Sequence, residues 1–236
     1  VLEFEGVYHN AEVHLNGEKI ASCPYGYSDF YADLTGKLLP GRDNVLEVIA
    51  HNADQPNSRW YSGAGIYRPV TLWTAPARHI LPDGVQVRTL SIDPAEVEVT
   101  VQTTASGAVA VAILDGEQTV ATAQAESNGK AVLRVQIPNA KLWSPDSPAL
   151  YRCRTMFGDD CAETTFGVRT LSWGDDGFLL NGKRVILLGA CVHHDHGVLG
   201  ACCYPEAEER KVRLLQKVGY NAVRCAHNPC SKAFLD

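Results

Sequence analysis

Residues 185–229, VILLGACVHHDHGVLGACCYPEAEERKVRLLQKVGYNAVRCAHNP, predict a β-loop-α-β unit. The apolar run Val185–Leu188 indicates a strand, and after a polar loop a helix is predicted from Glu206 to Val218. Pro205 is suited to the start of this helix, and acidic side chains in the first turn interact favourably with the helix dipole. A second strand is predicted at Ala222–Cys225. Because a helix connects the two strands, we expect them to pair in parallel.

One histidine follows each of these predicted strands. His193 comes after the first strand and His227 after the second. The carboxyl ends of neighbouring parallel strands meet on one side of a sheet, where α/β proteins place their active sites. A single loop histidine is more often a structural residue. Two histidines at equivalent places on adjacent strands favour a functional site.

The N-terminal part of the chain is strand-like. Residues Glu3–Val7 alternate, a hairpin is predicted at Asn16-Gly17, and Asn44–Ile49 alternates again. This pattern is typical of one face of a β-sandwich, although too few strands are predicted to close one.

A second run of strands is predicted over residues 77–167. Valines alternate at positions 97, 99 and 101, and again at 109 and 111, with turns predicted at Asp115-Gly116 and Asn128-Gly129. Some seven strands at this spacing indicate an immunoglobulin-like sandwich, without the Cys-Trp-Cys core of antibody domains.

Composition excludes several classes of function. The chain has 236 residues and a net charge of −6, and it has no run of basic residues. We therefore expect no nucleic-acid or anionic-membrane partner. The longest apolar run, Val185–Val192, is much shorter than the ~20 residues that a membrane helix needs. The strand-like start at Val1 is interpreted as a cut edge, so a signal peptide cannot be assessed.

The eight cysteines do not indicate a dense disulfide scaffold. Cys153 and Cys161 flank a predicted hairpin, but the expected register places Cys153 opposite Thr165. We therefore predict reduced thiols and a cytoplasmic location. The histidines and cysteines near the C-terminus could supply zinc ligands, and a structural domain with a metal clip is one alternative. Their spacings match none of the usual structural zinc patterns.

Several motifs occur in an order that points to one family. Asn221-Ala222-Val223-Arg224-Cys225-Ala226-His227-Asn228-Pro229 closely resembles the Asn-x-hydrophobic-Arg-small-small-His-Tyr-Pro signature of glycoside hydrolase family 2. Gly189–Gly197 is similar to the first barrel loop of that family. Upstream, Phe4–Val7, Val13–Gly17 and Gly63–Val70 resemble its sugar-binding jelly-roll domain, and Leu142–Pro145 resembles the end of its sandwich domain. Asn228 departs from the signature tyrosine, which leaves the sugar and aglycone preference open.

The resemblance implies a multidomain, mainly β architecture. Residues 1–76 would form the C-terminal part of a jelly-roll β-sandwich, 77–167 an immunoglobulin-like β-sandwich, and 168–236 the first βα units of a (β/α)8 TIM barrel. It implies a retaining exo-glycosidase that hydrolyses terminal β-D-galactosides. A β-glucuronidase or β-mannosidase of the same family is an alternative, and so is a non-catalytic carbohydrate-binding module.

The resemblance also implies roles for individual residues. His193 and His227 match histidines that hydrogen-bond the hydroxyls of the terminal sugar. Arg224 matches an arginine that keeps the nucleophilic carboxylate ionised, although an ordinary ion pair inside the barrel is the alternative. Asp195 is expected either in the substrate shell or as a loop cap. Arg59 and Trp60 are candidates for a sugar platform, with Trp60 equally suited to the sandwich core.

The two catalytic glutamates of the family are not expected in this chain. Retaining hydrolysis needs two carboxylates about 5 to 5.5 Å apart. In the family the acid/base glutamate follows an asparagine, and no Asn-Glu dipeptide occurs here. Too few residues follow Gly167 for a barrel of ~250 residues. We therefore expect a fragment that is inactive alone, in which no cofactor ligand is assigned. The full-length enzyme could bind Mg2+ and Na+ and form a homo-oligomer.

Overall fold

The computed structural model describes residues 1–53 and 62–236. These residues form two compact units, one of Val1–Thr74 with Leu187–Asp236 and one of Ala75–Ile186. Within the described residues no helix has the length and apolar character needed to cross a membrane.

The first part of the first unit contains short antiparallel strands. The described strands are β1 (Leu2–Phe4), β2 (Val7–Tyr8), β3 (Ala11–Leu15), β4 (Glu18–Cys23), β5 (Phe30–Ala32), β6 (Leu46–Ala50), β7 (Gly65–Ile66) and β8 (Val70–Leu72). They pair in the orders β5-β1-β8, β4-β3-β6 and β2-β7. Phe4 and Ala32 from one sheet share an apolar cluster with Ala11 and Val13 from another. The sheets therefore enclose a common core.

The predicted hairpin at Asn16-Gly17 is confirmed. Leu15 pairs with Glu18, so the connection has two residues. Asn16 and Gly17 both have positive φ angles, 52° and 85°, as a type I′ turn requires. The strand predicted at Asn44–Ile49 begins two residues later, at Leu46.

The second unit is built on two long strands. Its strands are β9 (Ile80–Ile92), β10 (Ala95–Asp115), β11 (Gln118–Gln136), β12 (Tyr151–Phe157), β13 (Asp160–Phe166), β14 (Leu171–Gly174), β15 (Gly177–Leu180) and β16 (Lys183–Arg184). Strands β9 to β13 form one antiparallel sheet in which β10 pairs with β9, β11 and β12. Val99 and Val111, from the two halves of β10, belong to the same buried cluster, so the sheet curls around its core.

The prediction of some seven strands in this region is wrong. Residues 77–167 are all described, and they contain five strands. The predicted turn at Asn128-Gly129 lies inside β11 instead. The register between β10 and β11 shifts between Gln102 and Ser106, opposite Asn128. Gly129, with φ 88°, lets the strand bend there without ending. Asn-Gly is found both where a strand bends and where the chain reverses. The sequence therefore predicted a turn between two strands where one long strand bends.

The cysteine register also differs from the expected one. Cys153 lies opposite Thr164 rather than Thr165, because the hairpin is centred half a residue earlier. Cys161 lies opposite Met156. All eight cysteines are among the described residues and are free thiols.

The C-terminal part of the first unit is a β-α-β arrangement. It contains β17 (Gly189–Val192), a 3-10 turn (Gly197–Leu199), α1 (Pro205–Lys217), β18 (Ala222–Cys225) and α2 (Lys232–Leu235). Strands β17 and β18 are parallel, as predicted. The predicted helix and the second predicted strand are also confirmed.

The first predicted strand is displaced by four residues. Residues 185–188 are not a strand, and the parallel ladder starts where Gly189 pairs with Ala222. Asn221 accounts for the position of the ladder. Its side-chain Oδ1 accepts a hydrogen bond of 2.8 Å from the backbone amide of Leu188. Its backbone amide donates to the carbonyl oxygen of Leu188 at 3.0 Å. A Cβ at Gly189 would collide with the carbonyl oxygen of Ala222, so the close pairing requires glycine.

Candidate active site

His193 and His227 are brought together at the carboxyl ends of β17 and β18. Their ring centroids are 6.0 Å apart, and the ring planes cross at 69°. His193 directly follows β17, and His227 lies two residues after the end of β18. The predicted proximity of the two histidines is therefore observed.

The hydrogen bond of His193 fixes its tautomer. Its Nδ1 lies 2.7 Å from the carbonyl oxygen of Ala226. Because a carbonyl oxygen can only accept, Nδ1 carries the proton. In the neutral ring Nε2 is then an acceptor. The backbone of His193 is also held, since Lys211 Nζ donates to its carbonyl oxygen at 3.2 Å.

His227 is in the opposite tautomer because of Arg224. The Nη1 atom of Arg224 lies 3.3 Å from Nδ1 of His227 and 3.5 Å from Sγ of Cys191. A guanidinium can only donate, so Nδ1 of His227 accepts and Nε2 of the neutral ring carries the proton. The histidine pair therefore combines one acceptor Nε2 with one donor Nε2. A sugar hydroxyl, which both donates and accepts, matches this combination.

The other predicted site residues are not gathered with this pair. Asp195 is half-buried in the loop after His193 and makes no hydrogen bond or ion pair with the described part of the chain. Its role in the substrate shell stays a prediction. Arg59 and Trp60 lie outside the described residues.

A buried carboxylate, Glu208, lies between the two histidine-bearing loops. Its Oε1 is 3.1 Å from His196 Nε2 and 3.4 Å from Ser231 Oγ, and its Oε2 is 3.2 Å from Lys211 Nζ. Burial raises the pKa of this carboxyl. The Lys211 charge and the His196 hydrogen bond outweigh burial, and the net pKa is below the ordinary value of 4.5. The sequence pattern predicts only a helix-dipole role for the acidic first turn of α1 and does not reveal this network.

Aromatic side chains from the β4–β5 and β7–β8 connections pack on the loop after β17. The ring of His194 lies 5.1 Å from that of Tyr27 and 5.8 Å from that of Tyr67. Burial raises the pKa of the Tyr67 phenol well above its usual range. These contacts fix the residue that follows His193.

Arg68, in the β7–β8 connection, links the β4–β5 connection to the loop after β18. This arginine is 5% exposed and donates to the carbonyl oxygens of Tyr27 at 3.2 Å and Pro229 at 2.8 Å. Arg68 lies in the segment Gly63–Val70 that resembles the jelly-roll domain, but the resemblance implies no role for it. The signal available in the sequence was an arginine between Tyr67 and Pro69 in a strand-rich segment.

Two cysteines near the site are held as neutral thiols. Burial and a hydrogen bond with Cys230 raise the pKa of Cys225 to about 11. Burial also raises the pKa of Cys203. Within the residues that the structure describes, no group of three or more convergent metal ligands includes a cysteine or a histidine, so the structure does not support a zinc clip at this end of the chain.

Comparisons with known proteins agree with this geometry. The model described as "Glycosyl hydrolases family 2" matches residues 83–169, and "Glycosyl hydrolases family 2, TIM barrel domain" matches residues 172–236. The chain belongs to glycosyl hydrolase family 2. Its fold is therefore a family 2 sandwich domain followed by the start of the family 2 TIM-barrel domain. His193 and His227 lie at the carboxyl ends of barrel strands, where TIM-barrel enzymes build their active sites.

Similar proteins in family 2 carry more than one name. A β-galactosidase of Bacteroides ovatus is 38% identical over all of this chain, which covers 30% of that protein. A β-glucuronidase of Bacteroides fragilis is 28% identical over 97% of this chain, which covers 37% of that protein. The crystal structure of a family 2 member from Bacteroides cellulosilyticus superposes with a TM-score of 0.90 at 35% identity, covering 99% of this chain and 33% of the other. This family 2 chain spans about a third of the length of these proteins.

Proposed function

We propose that the protein containing this chain is a retaining exo-glycosidase that hydrolyses terminal β-D-galactosides. The observation that carries the proposal is the complementary histidine pair at the carboxyl ends of β17 and β18. His193 and His227 lie with ring centroids 6.0 Å apart and present one acceptor and one donor nitrogen. The 38% identity to a β-galactosidase supports the choice of sugar.

In this proposal His193 and His227 bind and orient hydroxyls of the terminal sugar. A hydroxyl that is buried without a partner costs about 1 to 3 kcal/mol, so two directed partners favour the substrate over analogues that lack the hydroxyls. Arg224 places a permanent positive charge beside the site. An adjacent guanidinium lowers the pKa of a carboxylate, and the nucleophile of a retaining glycosidase must be ionised to attack.

We place the two catalytic carboxylates in barrel strands beyond Asp236. Glu208 is engaged by His196 and Lys211, so it is not available as a nucleophile. Residues 1–236 alone are therefore proposed to be inactive.

The residues at this site do not fit a resident Mg2+ or Na+. Hard cations prefer oxygen ligands, whereas the side chains here are two imidazoles and a guanidinium. Binding of these ions by the full-length enzyme stays a proposal about residues outside this site. So do a homo-oligomer and a cytoplasmic location.

A β-glucuronidase is the second candidate function. The similarity to a protein of that name in Bacteroides fragilis favours it. Both candidates use the same histidine pair, so they differ only in the sugar that the site accepts.

The test is hydrolysis of nitrophenyl β-D-galactoside, β-D-glucuronide and β-D-mannoside by the full-length protein. We expect the galactoside to have the highest kcat/KM. His193→Ala and His227→Ala are each expected to lower this value by a factor of about 100, since each removes a directed hydrogen bond to substrate. His79→Ala, in the second compact unit, is the matched control and is expected to leave it unchanged. Binding of galactosides without hydrolysis would instead indicate a non-catalytic carbohydrate-binding module.

A further inference from the structure

Tyr25 reaches the loop that carries His227. Its hydroxyl donates to Oδ1 of Asn228 at 2.7 Å, across a separation of 203 positions in the chain. Asn228 directly follows His227, and it stands where the family 2 signature has a tyrosine. The Tyr25 phenol, from the segment after β4, therefore lies next to position 228, where a tyrosine is expected and an asparagine is present.

The position of Tyr25 is fixed by aromatic packing as well as by its hydroxyl. Its ring lies 5.5 Å from that of Tyr27, in an edge-to-face arrangement. Tyr27 in turn packs edge-to-face on His194, with ring centroids 5.1 Å apart. Tyr25 thus contacts the loop after β18 directly and the loop after β17 through one neighbour.

The hydrogen-bonding capacity of Tyr25 and Asn228 is only partly used. The Tyr25 hydroxyl donates its proton to Asn228, which leaves its oxygen lone pairs as acceptors. The Nδ2 atom of Asn228 is buried and has no hydrogen-bond partner among the described residues. Tyr25 and Asn228 therefore offer one acceptor and one unsatisfied donor beside His227.

We infer that Tyr25 and Asn228 are specificity-determining residues that select a neutral sugar hydroxyl over a uronate carboxylate. This inference rests on the proposed function and deepens it. A hydroxyl both donates and accepts, so it can satisfy the Asn228 amide and the Tyr25 oxygen together. A carboxylate only accepts and would oppose the Tyr25 lone pairs.

Two guanidinium groups, those of Arg224 and Arg68, lie near this pair, and we expect neither to bind a uronate carboxylate. Nη1 of Arg224 is engaged by Nδ1 of His227 and Sγ of Cys191. Arg68 is the buried guanidinium of this region, and its Nη atoms donate to the carbonyl oxygens of Tyr27 and Pro229. Recognition of a carboxylate by arginine requires the guanidinium fork to face the ligand. In Arg68 both Nη atoms donate to backbone, and only Nε is without a partner among the described residues.

The test compares glycosides in the full-length protein. Tyr25→Phe is expected to lower kcat/KM for nitrophenyl β-D-galactoside about tenfold and to leave the β-D-glucuronide value within about twofold. Asn228→Leu, which has similar volume and no polar atoms, is expected to do the same. The double variant is expected to lose no more than about twofold beyond the worse single variant, because both changes break one shared interaction. Tyr220→Phe, an exposed tyrosine after α1, is the matched control with no expected change.

Three results would overturn the inference. One is an equal loss on both glycosides, which is typical of a purely structural pair. Another is a wild-type preference for the glucuronide that Tyr25→Phe abolishes. The third is no loss in either single variant. If Asn228→Leu lowers the melting temperature, Tyr25→Phe alone decides, since it removes one oxygen from a half-exposed ring.

A full-length protein that hydrolyses none of the glycosides would contradict the proposed function separately. In that case calorimetry with galactose and glucuronate still decides the inference. Tighter binding of galactose that weakens about tenfold in Tyr25→Phe supports the selection, and equal binding of both sugars contradicts it.

Discussion

Nε2 of His196 lies 3.1 Å from Oε1 of Glu208, and both side chains are almost fully buried, at 7% and 4% exposure. His196 belongs to the loop that carries His193, whereas Glu208 is in the first turn of α1. Ser231, from the loop that carries His227, also contacts Oε1 of Glu208. One buried carboxylate therefore ties together the two loops that position the histidine pair.

Glu208→Gln is expected to destabilise this part of the protein by about 3 kcal/mol. The change leaves the Lys211 ammonium, which is 17% exposed, without its anion, and this is costly even though the amide keeps the shape of the carboxyl. Thermal unfolding and hydrogen exchange of peptides covering residues 193–208 measure the effect. Glu209→Gln is the matched control, because Glu209 is exposed and, among the residues that the structure describes, pairs only with Arg213 one turn away. A surface pair of this kind contributes about 0.5 kcal/mol or less.

The stabilisation by Glu208 is expected to depend on pH. The pKa of Glu208 is lower in the folded state than its ordinary value of 4.5. Its contribution is therefore present above about pH 4.5 and is lost as the pH falls through the folded pKa. The difference in unfolding free energy between wild type and Glu208→Gln should shrink below about pH 4.5. A difference that is constant from pH 3 to pH 7 would show that the charge of Glu208 is not what stabilises the loops.

Arg224→Met is expected to move the acidic limb of kcat/KM to higher pH by about one unit. The guanidinium lowers the pKa of the proposed nucleophile, so its removal raises that pKa, and the carboxylate becomes protonated at a higher pH. Arg224→Lys keeps the charge and is expected to keep the position of the limb. It still loses the bond to Nδ1 of His227, which should lower kcat/KM at all pH values. An unchanged limb in Arg224→Met would leave Arg224 with a structural role only.

Arg68→Met is expected to cost about 2 to 4 kcal/mol of stability and to loosen the loop after β18. The variant removes the donor to the buried carbonyl oxygen of Tyr27 and the donor to the partly buried carbonyl oxygen of Pro229. Arg68→Lys should recover little, because a single ammonium cannot span acceptors that two guanidinium nitrogens reach. Arg42→Met, at an exposed arginine, is the control. Equal melting temperatures for the variants at positions 68 and 42 would contradict this role.

The sequence predicted the elements that local patterns determine. Helix α1 and strand β18 lie within one residue of their predicted bounds, because capping residues and flanking turns mark them. The hairpin at Asn16-Gly17 follows from the same kind of local signal. The proximity of His193 and His227 could be predicted because each follows one of two parallel strands, and the order of the strands places both at the same end of the sheet.

The remaining differences depend on tertiary structure. Val185–Leu188 is the most apolar stretch near the site, yet Asn221 sets where the parallel ladder starts, and Ile186 is 68% exposed. Glu208, Arg68 and Tyr25 act through partners distant in sequence. No periodicity or spacing marks a carboxylate that meets a histidine of one loop and a serine of another.

Gly189→Ala is expected to disrupt the β17–β18 pair, by about 2 to 3 kcal/mol, although alanine is the smallest possible change. The added methyl group would meet the carbonyl oxygen of Ala222, and a backbone atom in a parallel ladder cannot move aside as a flexible side chain can. Since the ladder sets the distance between His193 and His227, we also expect a loss of glycosidase activity in the full-length protein. Gly174→Ala is the matched control, because a Cβ at that strand glycine has no atom within 4 Å. Thermal unfolding and hydrogen exchange of the β17 and β18 peptides measure both variants. If Gly189→Ala matches Gly174→Ala in stability and exchange, the close approach of the two strands does not determine the geometry of the histidine pair.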